Sequence, residues 1–223
     1  MRLKSLSTFA LALPTFALAL LYAAPAFAGS PGKTDWGAGA DDATFHAMLK
    51  GSFHDKGIAT MARLDQDATQ AFCSDPARAS GADKDSAALR ARIEAENLAS
   101  IKWPADGKWL GDWTKGEAIA QNGRGLTSTD KAGAVNGGNC YNCHQISRRE
   151  IAYGTIGPSL DNYGKTRGGS EETLRYTWGK IYNAKAYNAC SNMPRGGHMG
   201  VLTEDQIRDL MALLLDPQSP VNQ

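Results

Sequence analysis

Cys140-Tyr141-Asn142-Cys143-His144 spells C-x-x-C-H, the attachment signal for a c-type haem, in which both thiols add across the haem vinyl groups and the adjacent imidazole binds the iron. A C-x-x-C pair also occurs in zinc half-sites and in dithiol redox pairs. A structural zinc site would need a second ligand pair at similar spacing, and the chain has none. A thioredoxin-like dithiol would need strands alternating with helices, and no convincing strand run is present. The pattern predicts a redox protein with one covalently bound haem c, attached at Cys140 and Cys143, with His144 as one axial ligand of the iron.

Helix signals lie on both sides of this motif. Upstream, Thr114 and Glu117 form a capping-box pattern, and Gly116, Ile119, Ala120 and Gly123 follow at helical spacing. They predict a helix over about residues 112–122 with a face small enough for another helix to approach closely. Downstream, Ser170 precedes Glu171 and Glu172, whose charge suits a helix N-terminus, and Leu174, Trp178 and Ile181 share one face as far as about Asn183. A last helix runs from Glu204 to Leu215: Thr203 and Gln206 cap it, Ile207, Leu210, Met211 and Leu214 form its stripe, and Asp216-Pro217 ends it. A small-faced helix before C-x-x-C-H and a striped helix closing the chain are arranged as in class I cytochromes c. The expected fold is all-α, a class I cytochrome c domain over residues 112–223.

The sixth iron ligand would come from the loop before the last helix, which offers Met193, His198 and Met199. Met193, followed by Pro194, lies ten residues before Thr203 and leaves enough chain to cross a haem face. Met199, only four residues before the cap, leaves little. A thioether opposite a histidine raises the reduction potential and fills the coordination sphere, which favours electron transfer over ligand chemistry. Gly157-Pro158-Ser159-Leu160 follows the motif at the distance where class I cytochromes place a proline whose carbonyl accepts the axial imidazole N–H, so Pro158 is expected to orient His144.

The first 28 residues read as an export signal: Arg2 and Lys4, an apolar run from Phe9 to Tyr22, and the small-x-small site Ala26-Phe27-Ala28. The run is shorter than the ~20 residues a bilayer span needs, and no later stretch is longer, so no membrane span is expected after processing. Haem attachment in bacteria takes place outside the cytoplasmic membrane, so signal and motif both point to the periplasm. Loss of Arg2 and Lys4 takes the balance from 24 basic and 23 acidic residues to 22 and 23. A nearly neutral chain without a basic stripe argues against nucleic acid as a partner. Residues 29–111 form an N-terminal extension of helical character. Phe45, Met48 and Leu49 suggest one helix, Met61, Leu64, Ala68 and Phe72 a second, and Asp85 to Ala99 a third. His46 and His54 lie within it and receive no role. Cys73 and Cys190 remain after haem attachment. In an oxidising compartment a bridge between them is the simplest outcome, beside a bridge to a partner subunit or a reactive thiol near the haem.

Gly137 to His144, Ile151 to Leu160 and, above all, Ala186-Tyr187-Asn188-Ala189-Cys190-Ser191-Asn192-Met193-Pro194-Arg195 resemble the SoxX cytochrome family of the sulfur-oxidising Sox system. The similarity runs on through Leu214-Leu215-Asp216-Pro217, and Gly57-Ile58-Ala59 and Leu64-Asp65-Gln66-Asp67 resemble its extended members. Gly196 departs from it, standing where an aromatic residue is expected after Met-Pro-Arg. The resemblance implies a heterodimer with a SoxA-type haem subunit that holds the catalytic site of an L-cysteine S-thiosulfotransferase. It also implies a SoxYZ carrier whose cysteine receives thiosulfate, and a soluble cytochrome c as electron acceptor. This chain would be the electron carrier and would hold no catalytic residue. Two other expectations stand beside it: a free-standing periplasmic shuttle, and an enzyme in its own right, such as a peroxidase, with an open iron site.

Overall fold

The computed structural model describes residues 42–223, so the expected export segment lies outside the described residues. The chain divides into two compact units after Met48. Of the first, only the start of helix α1 (Asp42–Ser52) is described. The second, Leu49–Gln223, is all-α: among the described residues the β structure is confined to an isolated antiparallel bridge between Lys56 and Ala59.

The expected helix from Met61 to Phe72 is broken in two. A 3-10 turn covers Met61–Leu64, and α2 begins only at Ala68 and ends at Ser74. The interruption is Asp67, which adopts an extended backbone and accepts the Gln70 N–H while the Gln70 side chain returns a bond to the Asp67 N–H. A side chain able to cap a new helix start competes with continuation through it. Asp75 caps the short α3 (Pro76–Ala79), and Asp83 caps α4 (Lys84–Ala99).

The core of the unit is made where α5 (Trp113–Gln121) crosses α8 (Glu204–Leu215). Gly116 allows the approach, since a Cβ there would overlap the Asp209 carbonyl and stand 3.0 Å from the Leu213 Cβ. Ala120 is fully buried in the same contact, with Ile207, Leu210, Met211 and Leu213 opposite. The start of α5 differs from expectation: Asp112, not Thr114, is the cap, accepting the Thr114 and Lys115 N–H groups. An Asp one position before the helix satisfies two orphan donors at once, and Glu117 is left for another partner. The Thr203–Gln206 capping box forms at α8, and Ser170 caps α7 (Glu171–Tyr182). The short α6 (Tyr163–Arg167) precedes α7.

Residues 97–111 are part of this core. Trp178 of α7 is fully buried, and its indole N–H donates to the Lys102 carbonyl at 2.9 Å. Its ring meets Trp109 edge-on at 5.8 Å, and Trp109 meets Trp103 at 6.3 Å, over which the Arg175 guanidinium lies at 4.3 Å. Ile101 belongs to the same apolar cluster. Asn183, buried after α7, donates to the buried Asn97 side chain at 2.9 Å and to the half-buried Ser100 hydroxyl at 3.1 Å. A second, smaller cluster joins Phe72 of α2 and Ile93 of α4 to Ala189, with Cys73, Leu89 and Cys190 around it. Residues 49–111 thus share one compact unit with residues 112–223.

Candidate haem site

The C-x-x-C-H residues form a tight turn: Cys140–Asn142 is 3-10 helical, and the Cys143 and His144 N–H groups both donate to the Cys140 carbonyl, at 3.1 and 3.0 Å. Asn139 enters it in the left-handed region, φ 51°, which an Asn tolerates better than most side chains. The end of α5 anchors the turn, because the Ile119 and Asn122 carbonyls accept the Gly138 and Asn139 N–H groups. The following loop is laid back against it by the bonds Gly154 N to Tyr141 O, Gly157 N to Cys143 O and Leu160 N to Gln145 O.

That return brings the Pro158 carbonyl to 2.7 Å from His144 Nδ1. A carbonyl can only accept, so Nδ1–H donates and Nε2 is the ring nitrogen available to a metal. Gly157 makes the approach possible: a Cβ on it would run into the imidazole ring. Gly154 likewise has no room for one, against the Asn142 carbonyl. Cys140 and Cys143 are free thiols, while Cys73 and Cys190 are joined as a disulfide. Burial pushes the Cys140 thiol up to about 12. The donor set is therefore one oriented imidazole and two unpaired thiols in a C-x-x-C turn. Among the described residues no cluster of three or more His, Cys, Asp or Glu could by itself hold a metal ion. This chemistry fits a haem c, whose porphyrin supplies the equatorial nitrogens and whose thioethers take the two sulfurs.

Met193 is half-buried and packed against the main apolar cluster, its N–H bonded to the Ser191 hydroxyl at 3.2 Å. Met199 is exposed, and His198 Nδ1 lies 3.1 Å from the Ser100 hydroxyl. Gly196, the departure noted in the sequence, is buried with no space for a side chain: a Cβ would stand 2.8 Å from Leu202 Cδ1 and 3.0 Å from the Ile181 carbonyl. An aromatic residue there is excluded by the return of the chain onto itself, since the Gly196 carbonyl accepts the N–H groups of both Val201 and Leu202.

Two contacts were not read from the sequence. The Tyr141 hydroxyl, within the motif, donates to the Glu117 carboxylate at 2.9 Å and accepts the Ser147 N–H at 3.2 Å. Partial burial raises Glu117 above the ordinary carboxylate range; Tyr141 and Arg149 pull it down and Glu150 pushes it further up, with burial prevailing. Burial and the Glu117 charge raise the Tyr141 phenol in turn. The second is an ion pair between Arg195 and Asp67 at 2.5 Å, its arginine buried. Glu117 showed itself in the sequence only as a capping residue, and Asp67 and Arg195 are separated by 128 positions.

A family model described as cytochrome c matches residues 114–216. The chain is also 40% identical over 158 residues to an uncharacterized lipoprotein of Aquifex aeolicus, an alignment covering 70% of this chain and 73% of the relative. The family match starts at the second residue of α5 and stops just past α8, enclosing the motif turn and the methionine loop. Residues 114–216 are therefore a cytochrome c domain, and the haem that such domains bind covalently serves electron transfer.

Proposed function

We propose that this chain is the electron-transfer haem c subunit of a periplasmic SoxAX-type L-cysteine S-thiosulfotransferase. Coupling thiosulfate to a carrier cysteine forms a sulfur–sulfur bond and releases two electrons. That chemistry is assigned to a SoxA-type partner acting on SoxYZ, and this chain takes the electrons one at a time and passes them to a soluble cytochrome c. Bound haem c supplies the one-electron couple, and the residues around it set its ligands. His144, oriented by Pro158, and Met193 are the proposed axial pair, a combination that raises the potential and closes the iron to small ligands. The relative's lipoprotein name fits an exported chain.

The observation that carries this reading over a free shuttle concerns residues 186–195, a stretch of the resemblance that begins 42 positions after His144. This stretch is tied to the extension: Cys190 to Cys73, the Ala189 N–H to Glu94 at 3.0 Å, and Arg195 to Asp67. A simple diffusing carrier needs no such second layer. The test is purification of the native protein from cells under gentle conditions. Elution with a second haem-bearing subunit, and thiosulfate-dependent haem reduction when the carrier is added, is the expected result. Elution alone, with haem reduced only by generic donors, leaves the shuttle.

A further inference from the structure

The helix α2 is only about two turns long, yet both of its ends are bonded to the same distant loop. Its N-cap, Asp67, pairs with Arg195, and its penultimate residue, Cys73, is bridged to Cys190. The two partners bracket Met193, which lies three residues after Cys190 and two before Arg195. Arg195 is 8% exposed, so the guanidinium has left most of its water and depends on the carboxylate it meets. Lys185, also buried, donates to the Ala189 carbonyl at 3.1 Å in the same loop. The fields of both cations fall on Asp67. Just before Cys190 the peptide is held further by Glu94, which accepts the Ala189 N–H, while Phe72 and Ile93 close over Ala189.

We propose that Asp67 and Arg195 are positioning residues for the Met193 thioether: with the disulfide they clamp the ligand loop to α2 and keep the methionine from leaving the iron. The clamp rests on the reading of Met193 as the axial ligand. A thioether bond to iron is weak, and its replacement by an outside ligand requires the loop to open locally. The frequency of such openings follows the contacts that hold the segment. The disulfide restrains one flank of Met193, and without Asp67 the other flank would hold a buried cation with no ion-pair partner.

The experiment uses the full exported haem protein and reads two properties of the ferric state, the long-wavelength charge-transfer band of a methionine-ligated haem and the rate of cyanide binding. Asp67→Asn keeps a side chain able to cap α2 and removes only the charge. It is expected to keep the band while binding cyanide about tenfold faster, the scale of losing a charged hydrogen bond. Asp75→Asn, altering the cap of α3, which does not reach the loop, is expected to bind cyanide as the wild type does. Met193→Ala is expected to lose the band and bind cyanide fastest of all. A wild-type rate in Asp67→Asn beside a fast Met193→Ala overturns the clamp, and so does equal acceleration in Asp75→Asn. A Met193→Ala protein that matches wild type in band and rate removes the ligand assignment, and the clamp falls with it for that separate reason.

Discussion

Glu117 shows how one side chain can be half-read. Its place three residues after Thr114 has the form of a capping box, and Asp112 takes that task instead, so the carboxylate turns to Tyr141 inside the haem motif. Burial holds it above the ordinary carboxylate range. The folded chain therefore binds the Glu117 proton more tightly than the unfolded chain does. As pH rises from the ordinary carboxylate value to the raised one, this group subtracts stability, and above that window the loss is constant. Glu117→Gln keeps an oxygen to accept the Tyr141 hydroxyl and abolishes the loss. The group is only half-buried, so solvent screening limits the gain to less than about 1 kcal/mol. Thermal unfolding of the haem protein should show Glu117→Gln melting roughly 2 °C above wild type near neutral pH and level with it near pH 4. A variant that melts lower at neutral pH would mean that the hydrogen bond from Tyr141 to a charged carboxylate outweighs desolvation.

The α5–α8 crossing is where small residues in the sequence become a distance between backbones. Gly116 in a helix interior sacrifices intrinsic propensity, about 1 kcal/mol relative to Ala. The structure gives the reason, because the Asp209 carbonyl occupies the space of its Cβ. Gly116→Ala sets that propensity gain against overpacking, which costs about 1–3 kcal/mol and more where the obstacle is backbone. Overpacking should win, and guanidinium unfolding should find the variant less stable by about 1–2 kcal/mol. A rise in stability, as propensity alone predicts, would mean the two helices separate at little cost. The elements carrying such patterns could be read in advance. The bounds of α7 and α8 follow from the caps Ser170 and Thr203 and from stripes facing one core. The turn at C-x-x-C-H and the proline that orients His144 were also legible, because local bonds set both. By contrast α6 has five residues and no apolar period, and the break before α2 depends on a cap that competes with an otherwise continuous pattern.

At the scale of the molecule, the cytochrome c match starts close to the boundary expected before residue 112, and the core runs across that boundary. Nothing local in the sequence tells that Trp178 will donate to Lys102, 76 positions away, or that Asn183 will be satisfied by Asn97 and Ser100. Such contacts are fixed by the closure of the whole chain, which a pattern of a few residues does not encode. They have a consequence for truncation. A chain beginning at Asp112 would lose Ile101, Trp103 and Trp109 from the main cluster, leave the fully buried indole N–H of Trp178 without its acceptor, and remove α2 and α4 from Ala189. Losses of a large buried side chain cost about 3–5 kcal/mol each, against a total stability of about 5–15 kcal/mol. Fused to an export signal, residues 112–223 should therefore fail to accumulate as haem-bearing protein, whereas residues 49–223 should accumulate with the absorption spectrum and melting temperature of the full chain. Periplasmic haem staining and thermal unfolding of both fragments check this. A stable, haem-loaded 112–223 fragment melting like the full chain would show that the tryptophan cluster and the extension merely rest on a core that is complete without them.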